Sequence, residues 1–361
     1  MEQNVDVKAY LQRIATATFD NDVHRAFVTY AAAMLNEPRS RELFLRMAER
    51  SGIDARYSPL SVDGKPDNNS VDAYQFYRTG QFPSTGERME LYKRFAPQLM
   101  YRALDRLALS DNERASIRHV IVTTCTGFYA PGLDFDAMRY LGLDSSVERT
   151  MIGFMGCYAA INALKQARHI IRSQPQDSVL VINLEVCTLH LQESQNLGEV
   201  LSFLVFGDGC AASLISARPQ GLELTSFRAI SLADTSDLIT WHIGDQGFDM
   251  VLSGQVPLSV GQALHAHKEE LLDEGRVTHW AVHPGGRSVL DAVEEALDLP
   301  STSLSHSRDI LRRFGNMSSA TVMFVLQSIM QSSCPGELGC AMSFGPGLTA
   351  ETMRFVVVEE S

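Results

Sequence analysis

The stretch RTMIGFMGCYAAINALKQARHIIR, residues 149–172, passes from an apolar, strand-like run through glycines into a helical pattern. Cys157 lies where the predicted helix begins, and Gly153 and Gly156 allow a sharp turn that would expose its sulfur. Unpaired N–H groups and the helix dipole at such a position lower the pKa of a thiol and favour the thiolate. Cys157 is therefore a candidate nucleophile, with a small core residue as the simpler alternative.

Strands and helices alternate along the chain on both sides of this stretch. Apolar runs such as HVIVTT (119–124) and SVLVINLEV (178–186) are typical of buried strands, and helical patterns separate them. The alternation predicts an α/β fold with parallel βαβ units around a buried sheet. Residues 1–110, by contrast, read as helices and loops.

The pattern repeats after about residue 220. A Gly-led loop opens an apolar helix in each half, as GCYAAINAL (156–164) and as GNMSSATVM (315–323). We predict a duplicated α/β fold whose first half spans residues 1–220 and carries the cysteine. The second half spans residues 221–361, and the functional site is expected where the halves meet.

Composition is typical of a globular protein and narrows the range of partners. The 361 residues are 45% hydrophobic, which allows a large core. A net charge of −12 argues against nucleic acid as a partner. Six cysteines without a CxxC pair predict free thiols, no metal site and a reducing, cytoplasmic location. The first residues lack an apolar signal region and no apolar run is long enough to span a bilayer, so no membrane association is expected.

Two polar residues of the second half could assist a cysteine nucleophile. His283 ends the strand-like run HWAVHP at a loop, where α/β folds place site residues, although a core histidine would also fit. Asn316 opens an apolar helix and could equally be its N-cap. Together with Cys157 they supply a nucleophile, a proton-handling imidazole and an amide donor. This set suits acyl transfer through a thioester, with an oxyanion or enolate stabilised by the histidine and asparagine.

At these residues the chain resembles the type III polyketide synthases of the chalcone synthase superfamily. The resemblance spans roughly residues 41–358 and rests on five separated motifs in the right order: FMGCYAAINAL, LVFGDGCAA, HPGGRSVLD, GNMSSATV and SFGPGLTAE. It implies a thiolase-like duplicated αβαβα layered fold and a homodimer. It also implies an enzyme that loads an acyl group from coenzyme A (CoA), condenses it with malonyl-CoA by decarboxylation, and needs no cofactor or carrier protein.

The resemblance assigns roles to the residues that match its motifs. Cys157 would be the nucleophile, and His283 would hold its thiolate as an ion pair. With Asn316, His283 would stabilise the enolate that forms when malonyl loses carbon dioxide, at about 3 kcal/mol of barrier lowering per donor. Phe206 matches a gatekeeping phenylalanine, an apolar wall that would disfavour the malonyl carboxylate and assist its loss.

The same resemblance places CoA binding on a basic helix near the N-terminus. Arg46 and Arg50 match two of the family's CoA-binding positions, and Leu43 stands where a lysine is common. The two arginines are four residues apart and therefore share one face of the predicted helix. They would form the local basic patch that an acidic chain needs to bind an anionic substrate.

Several cavity positions depart from the plant pattern of this family. Trp241 stands where a second gatekeeping phenylalanine is usual, and Ala130 replaces a larger residue that reaches across the dimer. Cys125 and His190 each take a position that is often threonine. The segments TGFYAPGLD and LEVCTLHLQE resemble microbial members of the family more than plant members.

The resemblance also bears on how the product is released. Glu185 and Ser318 match a hydrogen-bonding group that favours aldol cyclisation in some relatives, but Cys125 replaces its hydroxyl donor. We therefore expect release by lactonisation, as an alkyl or acyl α-pyrone. Gly345 and Pro346 of the last motif are expected to complete the substrate site.

Three other interpretations remain open at this stage. A β-ketoacyl-acyl-carrier-protein synthase III shares the fold and the Cys-His-Asn set, but GNMSSAT, FGPGLT and Phe206 do not match it, and the acidic balance disfavours carrier docking. A biosynthetic thiolase needs a second catalytic cysteine, for which Cys340 is the one candidate and CAMSFGPG the wrong context. A non-catalytic acyl-binding homologue would have no need of all three catalytic residues.

Overall fold

The computed structural model describes residues 7–62, 70–272 and 277–359. The strands of this part, in chain order, are β1 (Tyr10–Ala17), β2 (Asn21–Asp22), β3 (Tyr57–Ser58), β4 (Ile117–Thr124), β5 (Glu148–Gly153), β6 (Ser178–Val186), β7 (Asp208–Ser216), β8 (Gly221–Ser231), β9 (Ile239–Gly244), β10 (Gly247–Leu252), β11 (His279–Val282), β12 (Leu338–Gly345) and β13 (Thr349–Val358). The α-helices are α1 (His24–Met34), α2 (Pro38–Arg50), α3 (Thr85–Leu107), α4 (Asp111–Ser116), α5 (Leu133–Leu141), α6 (Ala159–Ser173), α7 (Leu197–Leu204), α8 (Val256–Ala266), α9 (Lys268–Leu272), α10 (Arg287–Ala296), α11 (Ser305–Phe314) and α12 (Thr321–Met330).

Nine strands of the described part form one mixed sheet in the order β11-β12-β13-β8-β1-β7-β6-β4-β5. From β1 through β7 and β6 to β4, the pairings are antiparallel, antiparallel and parallel. From β8 through β13 and β12 to β11, the same three pairings recur in the same order. The predicted duplicated fold is therefore confirmed at the level of strand pairing.

The prediction of parallel βαβ units holds for only part of the sheet. β4, β5 and β6 are mutually parallel neighbours, as are β11 and β12. β7 and β13 run antiparallel to the strands before them, because the chain turns back at the same end of the sheet. Between β12 and β13 this return takes a single short turn, Pro346–Leu348, which leaves no length for a crossover helix.

β1 corrects the prediction that residues 1–110 contain helices and loops alone. The strand pairs with β7 along its length and with the start of β8 on its other side. Its sequence, YLQRIATA, hides this role because Gln12 and Arg13 interrupt the apolar pattern, and the register shifts between Leu11 and Arg13. β1 is the strand that joins the two halves into one sheet.

Two apolar helices, α6 and α12, lie in the layer between the two halves of the sheet. They share one core cluster with one face of each sheet section, through residues such as Val181 and Met353. The opposite faces pack against outer helices, α3 on the first half and α8 with α10 on the second. This gives the five alternating layers of helices and sheets that the fold class requires. Among the described helices, none combines the length and hydrophobicity of a membrane span.

Candidate active site

The first turns of α6 and α12 meet at the centre of the molecule. Cys157 lies in a 3-10 turn that leads directly into α6, and Phe154 and Gly156 before it adopt positive φ angles of 55° and 70°. A side chain at Gly156 would clash with the ring of Pro346, so the turn and the loop after β12 pack closely. The Cys157 thiol donates a hydrogen bond to Ser318 Oγ, with sulfur and oxygen 3.7 Å apart.

Burial raises the pKa of Cys157 to about 12, and hydrogen bonds with Ser318 and Asn316 oppose this shift. The prediction of a lowered pKa, made from the helix start alone, is therefore wrong in direction for the unliganded protein. A helix N-terminus stabilises a thiolate, but removal of water from the sulfur destabilises it more here. The resting group is a neutral thiol, and the thiolate needs a proton acceptor within the site.

His283 follows β11 and is only 1% exposed. Neither Nδ1 nor Nε2 of its ring has a hydrogen-bond partner among the described residues. Burial lowers the pKa of His283 to about 3, so the ring is neutral at pH 7. With respect to the described residues, both ring nitrogens are therefore available to a polar group that enters the site.

Asn316 connects the His283 loop to the turn before α12. Its Nδ2 donates to the carbonyl oxygen of Gly285 at 3.2 Å, and its Oδ1 accepts from the backbone N–H of Ser318 at 2.8 Å. The N-cap interpretation is wrong, because the N-cap residue is Met317 for the 3-10 turn and Ala320 for α12. The same side chain reaches both the histidine loop and the cysteine turn.

Phe206 lies beside Asn316 through a short backbone pairing. The Asn316 N–H donates to the carbonyl of Val205 at 2.7 Å, and the Gly207 N–H donates to the carbonyl of Asn316 at 3.0 Å. Phe206 is 5% exposed, and its role as an apolar wall stays a prediction. This pairing fixes the main chain of Phe206 relative to the amide side chain of Asn316.

Glu185 contacts Ser319, which sequence reasoning missed, rather than Ser318. Its Oε1 accepts from Ser319 Oγ at 2.6 Å, and its Oε2 accepts from Cys125 N and Thr126 Oγ1, both at 2.9 Å. Burial raises the pKa of Glu185 to about 7. The hydrogen-bonding group expected from Glu185 and Ser318 is therefore divided: Ser318 contacts the Cys157 sulfur and Ser319 contacts the carboxyl group.

Cys125 contacts both the cysteine turn and Trp241. Cys125 Sγ accepts from the backbone N–H of Gly156 at 3.1 Å, and its carbonyl oxygen accepts from Trp241 Nε1 at 2.7 Å. The ring of His190 lies edge-on to Trp241 with centroids 5.7 Å apart. His190 donates through Nε2 to the carbonyl of Thr126 at 2.7 Å, and burial lowers its pKa to about 3.

Three predicted residues lie at the surface, away from these contacts. Ala130 is exposed in the loop after β4, and Arg46 and Arg50 are exposed on α2. Arg287, which the sequence analysis did not single out, begins α10 four residues after His283, and its Nη1 lies 3.5 Å from the carbonyl oxygen of Arg50. The end of α2 therefore adjoins the loop that carries His283. Gly345 and Pro346 pack against the cysteine turn.

Comparison with known proteins identifies the family. The models of the N-terminal and C-terminal domains of chalcone and stilbene synthases match residues 2–219 and 223–359. The chain is 30% identical to the alpha-pyrone synthesis polyketide synthase-like Pks18 of Mycobacterium tuberculosis, over 97% of this chain and 91% of Pks18.

Solved structures agree on the fold. The type III polyketide synthase domain of Steely1 from Dictyostelium matches with a TM-score of 0.87 at 24% identity, covering 98% of this chain and all of that domain. The 1,3,6,8-tetrahydroxynaphthalene synthase of Streptomyces coelicolor A3(2) matches with a TM-score of 0.84 at 25% identity, covering 97% of this chain and 99% of that one. The chain belongs to the chalcone and stilbene synthase family and is a type III polyketide synthase, a condensing acyltransferase that uses CoA thioesters.

Proposed function

We propose that this synthase holds its growing acyl chain on Cys157, extends it with malonyl-CoA through His283 and Asn316, and releases an α-pyrone. The observation that carries the assignment is the buried imidazole of His283, whose two ring nitrogens have no hydrogen-bond partner in the described part of the chain. In the loop after His283, the carbonyl oxygen of Gly285 accepts a hydrogen bond from the Asn316 amide, and this amide also contacts Cys157. A thioester oxygen placed between these groups would complete the hydrogen bonds of His283.

Loading begins with proton transfer from the Cys157 thiol to His283. Burial disfavours either charge alone, but the thiolate and imidazolium attract each other strongly where water is excluded. The sulfur then attacks the carbonyl carbon of an acyl-CoA, and the CoA thiolate leaves with the proton from His283. The product is an acyl thioester on Cys157 and free CoA.

Extension begins when the malonyl group of malonyl-CoA loses carbon dioxide. The electron pair of the broken carbon–carbon bond moves onto the thioester oxygen as an enolate, to which His283 and Asn316 donate. Phe206 would supply an apolar surface at the departing carboxylate. The enolate carbon then attacks the Cys157 thioester, which forms a β-ketoacyl-CoA and releases the Cys157 thiolate.

Release as a lactone is favoured by the contacts of Cys125 and Glu185. The Cys125 sulfur accepts a hydrogen bond from Gly156, and no hydroxyl at this position can join Ser318 to Glu185. Without that connection, water is not activated at the thioester for hydrolysis before aldol closure. An enol oxygen of the polyketide would instead attack the thioester carbon, closing an α-pyrone and expelling the thiol. The similarity to Pks18, an alpha-pyrone synthesis polyketide synthase-like protein, supports the same product class.

CoA binding is assigned to the basic surface at the end of α2. Arg46 and Arg50 share one face of this helix, and Arg287 lies against its last carbonyl. We assign to Arg287 the phosphate contact that Leu43 does not provide. Acyl-CoA and malonyl-CoA would be sufficient as substrates, with no further cofactor and no carrier protein.

The assembly proposed is a homodimer formed along β5. This strand lies at the edge of the sheet and exposes Met151, with Met155 and Phe128 also exposed nearby and Ala130 on the adjoining loop. An exposed edge strand with large apolar side chains favours pairing with a second copy. Met151→Asp is expected to shift the protein from dimer to monomer in sedimentation velocity, whereas an unchanged sedimentation coefficient would contradict this interface.

Two further assignments complete the proposal. The boundary between the halves is placed at residues 220 and 221, immediately before β8, where the repeated strand pattern begins again. The location is placed in the reducing cytoplasm, because all six cysteines are free thiols.

A mass-spectrometric assay tests this function directly. The purified protein is incubated with an acyl-CoA panel and malonyl-CoA, and both the products and the intact protein mass are measured. We expect acyl adducts and pyrone products with the wild type and with the control Cys334→Ala, which removes an exposed thiol. Cys157→Ala should form no adduct, and His283→Ala and Asn316→Ala should lose malonyl-CoA decarboxylation.

Three results would contradict the proposal. Acylation that persists in Cys157→Ala would remove the assigned nucleophile. Wild-type decarboxylation in His283→Ala or Asn316→Ala would remove their roles. Condensation that needs malonyl bound to a carrier protein would favour a β-ketoacyl-acyl-carrier-protein synthase III activity instead.

A further inference from the structure

Arg56 places a buried guanidinium directly behind the gatekeeper position. The side chain is 2% exposed and follows α2, the helix of Arg46 and Arg50. Its Nη1 donates to the carbonyl oxygens of Phe206 at 2.7 Å and Phe203 at 3.0 Å. A charged donor binds a carbonyl more strongly than a neutral donor does, so the main chain at Phe206 is firmly held.

The guanidinium is also fixed at its other edge. Its Nε donates to Nδ1 of His24 at 2.9 Å, and Asp22 Oδ1 accepts the backbone N–H of Arg56 at 3.2 Å. Burial, followed by the nearby charge of Arg56, lowers the pKa of His24 to about 4, so its ring is neutral and can accept at pH 7. Both edges of the planar group therefore have defined partners, which a lysine could not satisfy together.

Two glycines allow the backbone to close around this side chain. A Cβ at Gly315 would lie 2.8 Å from Cγ of Arg56, and a Cβ at Gly207 would lie 3.4 Å from its Cβ. These glycines flank the two backbone hydrogen bonds that join the segment of Val205 to Asn316. The stem of Arg56 thus packs against the pairing that carries both the gatekeeper and the amide donor.

We infer that Arg56 is a positioning residue for decarboxylation, because its guanidinium fixes the Phe206 carbonyl and with it the spacing between Phe206 and Asn316. The inference rests on the functions proposed above for those two residues. Arg56 contacts the main chain of these segments rather than the turn of Cys157. Displacement of the Arg56 guanidinium should therefore slow malonyl decarboxylation, which needs Phe206 and Asn316. The attack of the Cys157 thiolate on an acyl-CoA should be unaffected.

Arg56→Lys tests this separation, with Arg88→Lys as the matched control. Arg88 is another fully buried arginine, and its Nη1 donates to the carbonyls of Leu189 and Leu191. In Arg56→Lys, the kcat of malonyl-CoA decarboxylation should fall about 100-fold, as expected for a displacement of about 1 Å. The rate of Cys157 acylation, followed by intact mass, should be unchanged. In Arg88→Lys the thermal midpoint should fall, and the ratio of the two rates should stay at its wild-type value.

A second measurement is independent of catalysis. Amide hydrogen exchange at Gly207 and Asn316 reports whether the backbone pairing opens, even if the wild type proves to decarboxylate nothing. Exchange at these amides should be faster in Arg56→Lys and unchanged in Arg88→Lys. His24→Ala removes only the partner of Arg56 Nε and should speed exchange at the same two amides to a smaller extent. This variant replaces Arg56→Lys in the test if Arg56→Lys does not fold.

The outcomes distinguish this inference from the proposed function. Equal loss of acylation and decarboxylation in Arg56→Lys, or unchanged exchange at Gly207 and Asn316 in both Arg56→Lys and His24→Ala, would overturn the positioning role. A wild-type protein that neither acylates Cys157 nor decarboxylates malonyl-CoA would overturn the proposed function, while the exchange data would still decide the structural part of the inference.

Discussion

Among single residues, Glu185 is fully buried, and its charge contributes to the raised pKa of the candidate nucleophile Cys157. Its three hydrogen-bond partners, Cys125, Thr126 and Ser319, are neutral donors. Neutral donors stabilise the carboxylate, but burial destabilises it more, which is why the pKa of Glu185 rises to about 7. The folded protein can therefore hold a proton at Glu185 that the unfolded chain releases.

This protonation predicts a pH-dependent stability. The pKa of Glu185 is about 7 when folded and about 4.3 when unfolded, so the folded state binds the extra proton between these values. The free energy of unfolding therefore falls by about 1.4 kcal/mol per pH unit as the pH rises from the unfolded pKa to the folded pKa of Glu185. Glu185→Gln cannot titrate, and its amide can donate to Ser319 while its oxygen accepts from Cys125. Its free energy of unfolding should rise relative to wild type from pH 5 to pH 7.5.

Urea unfolding at a series of pH values measures this difference. Glu90→Gln, which changes an exposed carboxylate on α3, is the control and should run parallel to wild type across the range. Other titrating groups are shared by all three proteins and cancel in the comparison. A constant difference between Glu185→Gln and wild type would show that Glu185 keeps an ordinary pKa.

At the scale of elements, the decisive contact lies between the turn before α6 and the loop after β12. Gly156 has a φ of 70° and packs against Pro346, so the turn can adopt this shape only without a side chain. The contact joins the first half, which carries Cys157, to the end of the second half. A change at this one position should therefore affect both stability and the placement of the sulfur.

Gly156→Ala and Gly142→Ala separate these two effects. Gly142, at the end of α5, has a similar φ of 63° but has no atom within 4 Å of an added Cβ. Gly142→Ala should lose about 1 kcal/mol of stability from its left-handed backbone alone. Gly156→Ala should lose a further 1–3 kcal/mol or so from the clash, together with most Cys157 acylation. Thermal unfolding and intact mass measure the two quantities, and equal losses in both variants would contradict the role given to the Pro346 contact.

The elements that the sequence predicted well are those whose burial is decided locally. The helical pattern after Cys157 is α6, which ends at Ser173, two residues before Pro175. β1 was missed because its partners, β7 and β8, lie far along the chain and its Gln12 and Arg13 disguise a buried strand. The sequence also could not predict that Ser319, rather than Ser318, contacts Glu185. A 3-10 turn directs adjacent side chains to different sides, and the sequence does not show which side each serine faces.

At the scale of the whole molecule, the charge of the chain opposes the charge of its substrates. The net charge is −12, and CoA thioesters are polyanions. The exposed arginines at the end of α2, proposed above as the CoA-binding surface, would provide a local attraction against this long-range repulsion. Salt screens both the local attraction and the long-range repulsion. Whether substrate binding weakens or strengthens with added salt therefore depends on whether the arginines are present.

The proposed CoA surface therefore predicts a reversal of salt dependence. In wild type, the KM for malonyl-CoA should rise as salt increases, because the attraction of Arg46 and Arg50 is screened. In the double variant Arg46→Gln/Arg50→Gln the local attraction is reduced to that of Arg287, so the long-range repulsion should dominate and KM should start higher and fall with salt. The control Arg94→Gln/Arg172→Gln changes the net charge equally at exposed positions elsewhere and should keep the wild-type trend. The same slope in all three proteins would contradict this assignment.

The place of β1 in the sheet has a consequence for synthesis on the ribosome. Residues 10–17 emerge early, but their partners in β7 and β8 are residues 210–216 and 222–223. At about 5–20 residues per second, the strand waits roughly 10–40 s for them. During this time its edges are open to incorrect pairing, and neither half can close its sheet. β1 thus waits for partners from both halves, and its pairing with β7 and β8 commits the two halves to a single cooperative folding unit.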